Sequence, residues 1–206
     1  QRTLLKMLRD GARYAAGKNK PLLITEFGGS PHADSMGNLI KQAHLGVWTG
    51  FFHEAPAAPM YWWFALVDDK DLYYEYRALS RFGKDEDRRG LECRNYDLSG
   101  LPINVNELRG KDRLLYWLFD TEYYLSDLEN VVPARRENVV LELPRLDVGD
   151  YQLEIWDLQR GEVCEERTLA VVSGEEERQR LSLPPFAAHV ALKIKAAPPP
   201  LPDGGQ

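Results

Sequence analysis

The chain is poor in cysteine, has no basic excess and holds no long apolar run. Its two cysteines, Cys93 and Cys164, lie far apart, with no CxxC and no histidine spaced to join them. The usual zinc-ligand patterns are therefore missing, and no metal or cofactor is expected. Spacing alone leaves the pairing of the two cysteines open. Lys and Arg number 26 against 32 Asp and Glu, a net charge of −6. A nucleic-acid partner needs a basic face, so that class is excluded. No stretch approaches the ~20 apolar residues that cross a bilayer, and no membrane partner is expected. Internal repeats are also absent. The one biased tract is the Pro/Gly-rich end, residues 197–206, read as a disordered tail or linker.

What remains is a globular composition. Hydrophobic residues make up 44% and charged residues 28% of 206, enough for one large domain or two small ones. The first residue is Gln, and it opens directly into a helical pattern. An N-terminal portion is therefore expected to precede it.

Pro21–Gly29, PLLITEFGG, organises the first part. Leu22, Leu23 and Ile24 form a continuous apolar run, as expected of a buried parallel strand, and Pro21 suits its first position. Glu26 follows at the carboxyl end, where chemistry gathers in parallel sheets. Before it, Leu4, Leu5, Leu8, Ala12, Ala15 and Ala16 give helix spacing over residues 2–16. After it come a loop with His32, a helix over residues 38–54 with wide apolar coverage, and a second strand, Pro59–Val67. His44 and His53 in that helix are too far apart for a metal pair on adjacent turns and read as packing or surface residues. Strand parity puts Met60, Trp62 and Phe64 on one face and Tyr61, Trp63 and Ala65 on the other. Exposed aromatics of this kind can stack on a pyranose ring. The acidic run Asp68–Asp71 reads first as a cap for a helix over residues 72–82 and otherwise as lining for a polar substrate mouth.

A charged, turn-like stretch at 83–90 marks a boundary between residues 1–86 and 87–196. Beyond it, short alternating runs at 91–98, 114–120, 139–143, 151–157, 162–172, 179–183 and 190–195 are separated by turn signals. That pattern predicts an antiparallel β-sandwich able to fold alone. The fold class expected is thus α/β plus all-β.

KPLLITEFGG, HLGVWTGFF, PMYWWFALVDD and DLYYEYRALSRF resemble the last strand–helix units of (β/α)8 glycoside hydrolases of the cellulase/mannanase type. DRLLYWLFD, VGDYQLEIWDLQRGEV and LSLPPFAAHVALKIK resemble the β-sandwich that follows the barrel in several bacterial members. The resemblance implies the final βα units of a TIM barrel followed by a sandwich. It implies Glu26 as catalytic nucleophile, Trp62 (or Trp63, if parity slips by one) as a substrate platform, and His32 as a loop residue able to reach substrate. It implies an oligo- or polysaccharide partner, a secreted or periplasmic setting, and no metal. The family's acid/base glutamate has no counterpart here. A whole barrel takes ~250 residues, so the N-terminal barrel portion is expected as a missing partner and the isolated chain is expected to be inactive. The alternative is a non-catalytic carbohydrate-binding or scaffolding module, or a pseudoenzyme fragment.

Overall fold

The computed structural model describes residues 1–30, 32–53, 55–128, 130–172 and 179–197. The Pro/Gly-rich stretch from 198 onward, read above as a tail, lies outside the described residues. Among the described residues, no helix is long and apolar enough to cross a membrane.

Helices lead the chain: α1 (Arg2–Gly17), α2 (Met36–Phe52), the short α3 (Phe64–Asp69) and α4 (Tyr73–Phe82). Strands follow: β1 (Glu92–Asp97), β2 (Ile103–Arg109) and β3 (Arg113–Asp120), then a single turn α5 (Thr121–Tyr124). The rest are β4 (Arg135–Arg136), β5 (Val140–Glu142), β6 (Gly149–Asp157), β7 (Glu162–Val171), β8 (Arg180–Ser182), β9 (Phe186–Ala187) and β10 (His189–Ala196). Six strands form one antiparallel sheet in the order β1-β2-β3-β10-β6-β7. Two small ladders, β4–β9 and β5–β8, stand apart from it.

Period-two alternation gives the sheet two apolar faces. In β3, Leu115, Trp117 and Phe119 join a core shared with Trp48, Phe52, Leu79 and Phe82 of the helices. Leu114, Tyr116 and Leu118 point the other way, into a second core with Leu141 and Leu181 of the β5–β8 ladder. The layers are therefore helices, sheet and ladder. The helix-side core crosses residue 86 in sequence. Glu86 itself, in the α4–β1 connection, has its side chain enclosed, where it forms ion pairs with Lys193 Nζ (3.1 Å), Lys195 Nζ (2.5 Å) and Arg113 Nη1 (3.6 Å). Burial works to raise its carboxyl pKa, but the lysine contacts outweigh that and leave it lowered.

Four expectations are corrected. Pro21–Phe27 and Pro59–Val67 are not strands; they meet in one parallel bridge, Phe27 with Tyr61. Leu23 is 63% exposed, so the apolar run is not buried on both faces. The aromatic stretch turns into α3 at Phe64, because without neighbouring strands the backbone groups past Trp62 bond locally: Leu66 N–H donates to Trp63 O (2.9 Å) and Val67 N–H to the same oxygen (3.0 Å). Asp68 and Asp69 end α3 rather than cap α4, whose N-cap Leu72 makes no side-chain bond. Finally, β2 is a central strand absent from the predicted runs. Its sequence INVNELR hides a strand because Asn104 and Asn106 are buried against α1, where their Oδ1 atoms accept from Arg9 Nη2 (3.2 and 3.3 Å).

Candidate functional site

Three backbone bonds hold the two crossing segments. Met60 N–H donates to Ile24 O (3.1 Å), Phe27 N–H to Met60 O (3.1 Å) and Trp62 N–H to Phe27 O (2.8 Å). This register sets Phe27 opposite Tyr61 with both side chains inward, 7% and 6% exposed, their rings 5.2 Å apart. Neighbours on either side must then face outward. Glu26, Met60 and Trp62 do so: Glu26 is exposed, Met60 63% and Trp62 49%. The parity predicted for Met60 and Trp62 holds, while Phe64, 77% exposed, already lies in α3, where strand parity no longer applies.

The inward side is fixed by specific bonds. Tyr61 Oη donates to Leu39 O of α2 (2.8 Å), and Tyr61 N–H donates to Tyr76 Oη of α4 (2.9 Å). Phe27 lies against Gly46, where a Cβ would come within 2.0 Å of its ring. Gly28 has φ +135°, and a Cβ there would meet the Tyr61 ring at 2.9 Å. Only glycine lets the chain leave Phe27 past two aromatic rings. Gly29 N–H then donates to Gln42 Oε1 (2.5 Å), while Gly29 O accepts from Trp63 Nε1 (2.7 Å).

Trp62 and Trp63 therefore differ in role. Trp63 is partly buried and spends its only polar group on the backbone after Glu26. Trp62 presents its ring to solvent. His32 lies on an exposed turn, its backbone N–H donating to Ser30 Oγ (3.3 Å). Among the described residues no side chain bonds to Glu26, which leaves its carboxylate open to solvent.

Compared with models of protein families and with curated proteins, the sequence gives no match. Its structure is similar to parts of three solved glycoside hydrolases. One is a family 5 enzyme from Bacteroides vulgatus (TM-score 0.49, 11% identity, 91% of this chain and 45% of that one). Another is a family 30 endoxylanase from Clostridium papyrosolvens (0.48, 12%, 88% and 43%). The third is a family 30 subfamily 8 xylanase from Clostridium acetobutylicum (0.43, 16%, 89% and 44%). The chain thus spans less than half the length of each.

One cluster escaped the sequence reading. His44 Nδ1 lies 2.7 Å from Glu75 Oε2, and His44 Nε2 lies 2.7 Å from His189 Nδ1, which Tyr124 Oη also faces at 2.9 Å. Donation from His44 Nδ1 to Glu75 leaves Nε2 to accept from His189 Nδ1–H. Burial, then the neighbouring His44, hold the His189 pKa well below the usual imidazole value. Burial, then Glu75, push the Tyr124 phenol far up. The cluster ties α2 and α4 to β10 and α5, with His44, Glu75 and Tyr124 buried and His189 partly so, and it serves the packing of these elements. Four residues drawn from distant parts of the chain leave no spacing signal to read. The described residues hold no group of three or more His, Cys, Asp or Glu fit for a metal, and no disulfide joins Cys93 to Cys164.

Proposed function

We propose that this chain is the C-terminal part of a retaining glycoside hydrolase acting on β-linked glycans, with Glu26 as nucleophile and Trp62 as the aromatic platform. The observation that supports it most is the shared outward face. The bridge register turns Glu26, Met60 and Trp62 to one side, so an attacking carboxylate and a stacking ring border the same surface. The TEFG motif and the aromatic stretch after it carry the family resemblance at these positions. In a retaining enzyme two carboxyl groups stand about 5–5.5 Å apart, one ionised to attack the anomeric carbon, the other protonated to release the leaving oxygen. Glu26, to which no side chain of the described residues bonds, suits the first role. The proton donor and the remaining barrel strands would come from the preceding N-terminal portion, and residues 87–196 would form the appended β-sandwich. On this reading His32 borders the mouth and Trp63 is a support for Trp62.

The test is made in the longer protein. Glu26→Ala removes the nucleophile, and azide supplied with an activated β-glycoside then gives the α-glycosyl azide by a single inversion. A β-azide product would mean that Glu26 is the acid/base instead. Loss of activity without rescue, together with a lowered melting temperature, would make it structural. The 206-residue chain alone should turn over no aryl β-glycoside.

A further inference from the structure

The basic residues of α1 fall on one stripe. Arg2, Lys6, Arg9 and Arg13 recur at helix spacing, which lines all four along one side of the helix. Between that stripe and the β1–β2 edge of the sheet runs a groove of about 360 Å³. That volume falls in the ~300–1,000 Å³ range of small-molecule sites. All four cations line it, and so do Asn95 and Asp97 of β1 and Asn104 of β2.

Arg9 is half-buried there, and its protein partners are neutral. Nη2 donates to Oδ1 of Asn104 (3.2 Å) and Oδ1 of Asn106 (3.3 Å), both buried side chains. Asn95 Nδ2 donates to the same two oxygens at 2.7 and 3.0 Å and holds them in place. Among the described residues neither Nε, which is enclosed, nor Nη1 has a hydrogen-bond partner. An enclosed donor without a partner calls for a water or an ion nearby. Burial lowers the Arg9 pKa more than Asp97 raises it, and Arg13 lowers it further, so the protein does not balance this charge. The two carboxylates in the groove are engaged elsewhere. Asp10 is bonded by Lys6 Nζ along α1, and Asp97 Oδ1 accepts from Asn104 Nδ2 (2.7 Å). Arg2 and Arg13 are exposed and have no ion-pair partner among the described residues.

The charge balance selects the ligand class. Arg2, Lys6, Arg9 and Arg13 stand against Asp10 and Asp97, four cations to two carboxylates, on a chain whose net charge is −6. A cation would be repelled by that excess, and a neutral sugar would leave it unmet. A tetrahedral dianion carries the matching charge and presents acceptor oxygens on every side, whereas a lone carboxylate brings one charge. We propose that the groove between α1 and the β1–β2 edge is a binding site for a phosphate or sulfate group, held by Arg9 and flanked by Arg13 and Arg2. The chemistry recognised is the same whether that group is a free ion or an ester on a sugar. The site uses none of Glu26, Met60 and Trp62 and stands whether or not Glu26 attacks a glycoside.

Calorimetric titration of the full chain at low ionic strength tests it, with inorganic phosphate, sulfate, glucose 6-phosphate and acetate each carried to about 20 mM. Phosphate or sulfate should bind saturably and roughly tenfold more tightly than acetate. Arg9→Gln should weaken that binding about tenfold or more. Arg13→Gln, at an exposed position, should weaken it several-fold and keeps the test valid if Arg9→Gln disturbs the asparagines. Arg77→Gln, exposed on α4, should leave it unchanged. Tighter binding of glucose 6-phosphate than of inorganic phosphate assigns the ester, and the reverse order assigns the free ion; either supports the site. Absence of saturable binding by both phosphate and sulfate would overturn the proposal. So would binding left unchanged by Arg13→Gln, whatever Arg9→Gln does, since that is an adventitious ion only. Acetate binding as tightly as phosphate would overturn it as well, because the groove would then read a single charge.

Discussion

Trp62 and Trp63 stand next to each other and should respond oppositely to substitution. Trp62 is half exposed with its ring free, so Trp62→Ala should change stability by no more than about 0.5 kcal/mol. Trp63→Phe gives up the bond to Gly29 O and should cost roughly 0.5–1.5 kcal/mol in urea titration. Gly46→Ala is sharper still. Its Cβ would lie 2.0 Å from the Phe27 ring, and ring displacement should cost about 1–3 kcal/mol while also disordering the Glu26 surface. His53 gives a pH dependence. Burial, then Arg9, hold its pKa at about 4, below the ordinary 6.5. A histidine with a depressed folded pKa contributes stability that is complete above 6.5 and lost as pH falls toward 4, because only the unfolded chain takes up the proton. Between about pH 7.5 and pH 5 this amounts to on the order of 2 kcal/mol. His189 is depressed in the same direction and adds to the loss. Urea midpoints across that window should fall, and His53→Gln should flatten the slope. An unchanged slope would mean the ring is solvated.

At the scale of elements, the two crossing segments and the sheet should differ in hydrogen exchange. Phe27, Met60 and Trp62 amides are bonded across the bridge, while no strand continues on either side. Those three should be slower than Leu23, Thr25 and Glu26, and all should be faster than β3 and β10, which are paired on both edges. Uniform slow exchange over 21–27 would show a longer ladder than one bridge. The helix pattern over 2–16 and the alternating runs of β3, β6, β7 and β10 were legible in sequence, because each carries its own periodicity. β2 was not. Its helix-facing positions are filled by Asn104 and Asn106, whose burial depends on Arg9 from a helix nearly a hundred residues earlier.

For the whole molecule, the texture change near residue 86 and the packing point to opposite outcomes on truncation. Read from sequence, residues 87–196 fold alone. In the structure Leu108, Leu115, Trp117, Phe119 and Trp156 share a core with Trp48, Phe52 and Phe82, and Glu86 is held by Lys193 and Lys195. Removal of 1–86 would uncover one face of the sheet. The truncated chain should bind a hydrophobic dye and self-associate, and the 206-residue chain should unfold in one transition. A monomeric, cooperatively folded 87–196 would show that the ladder-side core suffices.

The sequence by itself determined the three longer helices, most of the long strands, the acidic net charge and the TEFG motif that singles out Glu26. Those features rest on local periodicity, composition and spacing. Tertiary structure alone decided that Pro21–Phe27 and Pro59–Val67 are joined by one bridge and not by a sheet. The reason is that a strand exists only where neighbours take its backbone groups, and here just Met60, Phe27 and Trp62 find them across the pair. It also decided which tryptophan faces outward, since that follows from the register of Phe27 against Tyr61. The Glu75–His44–His189–Tyr124 chain was decided there too, because hydrogen bonds at 2.7–2.9 Å between groups so distant in sequence exist only after the helices have closed on the sheet.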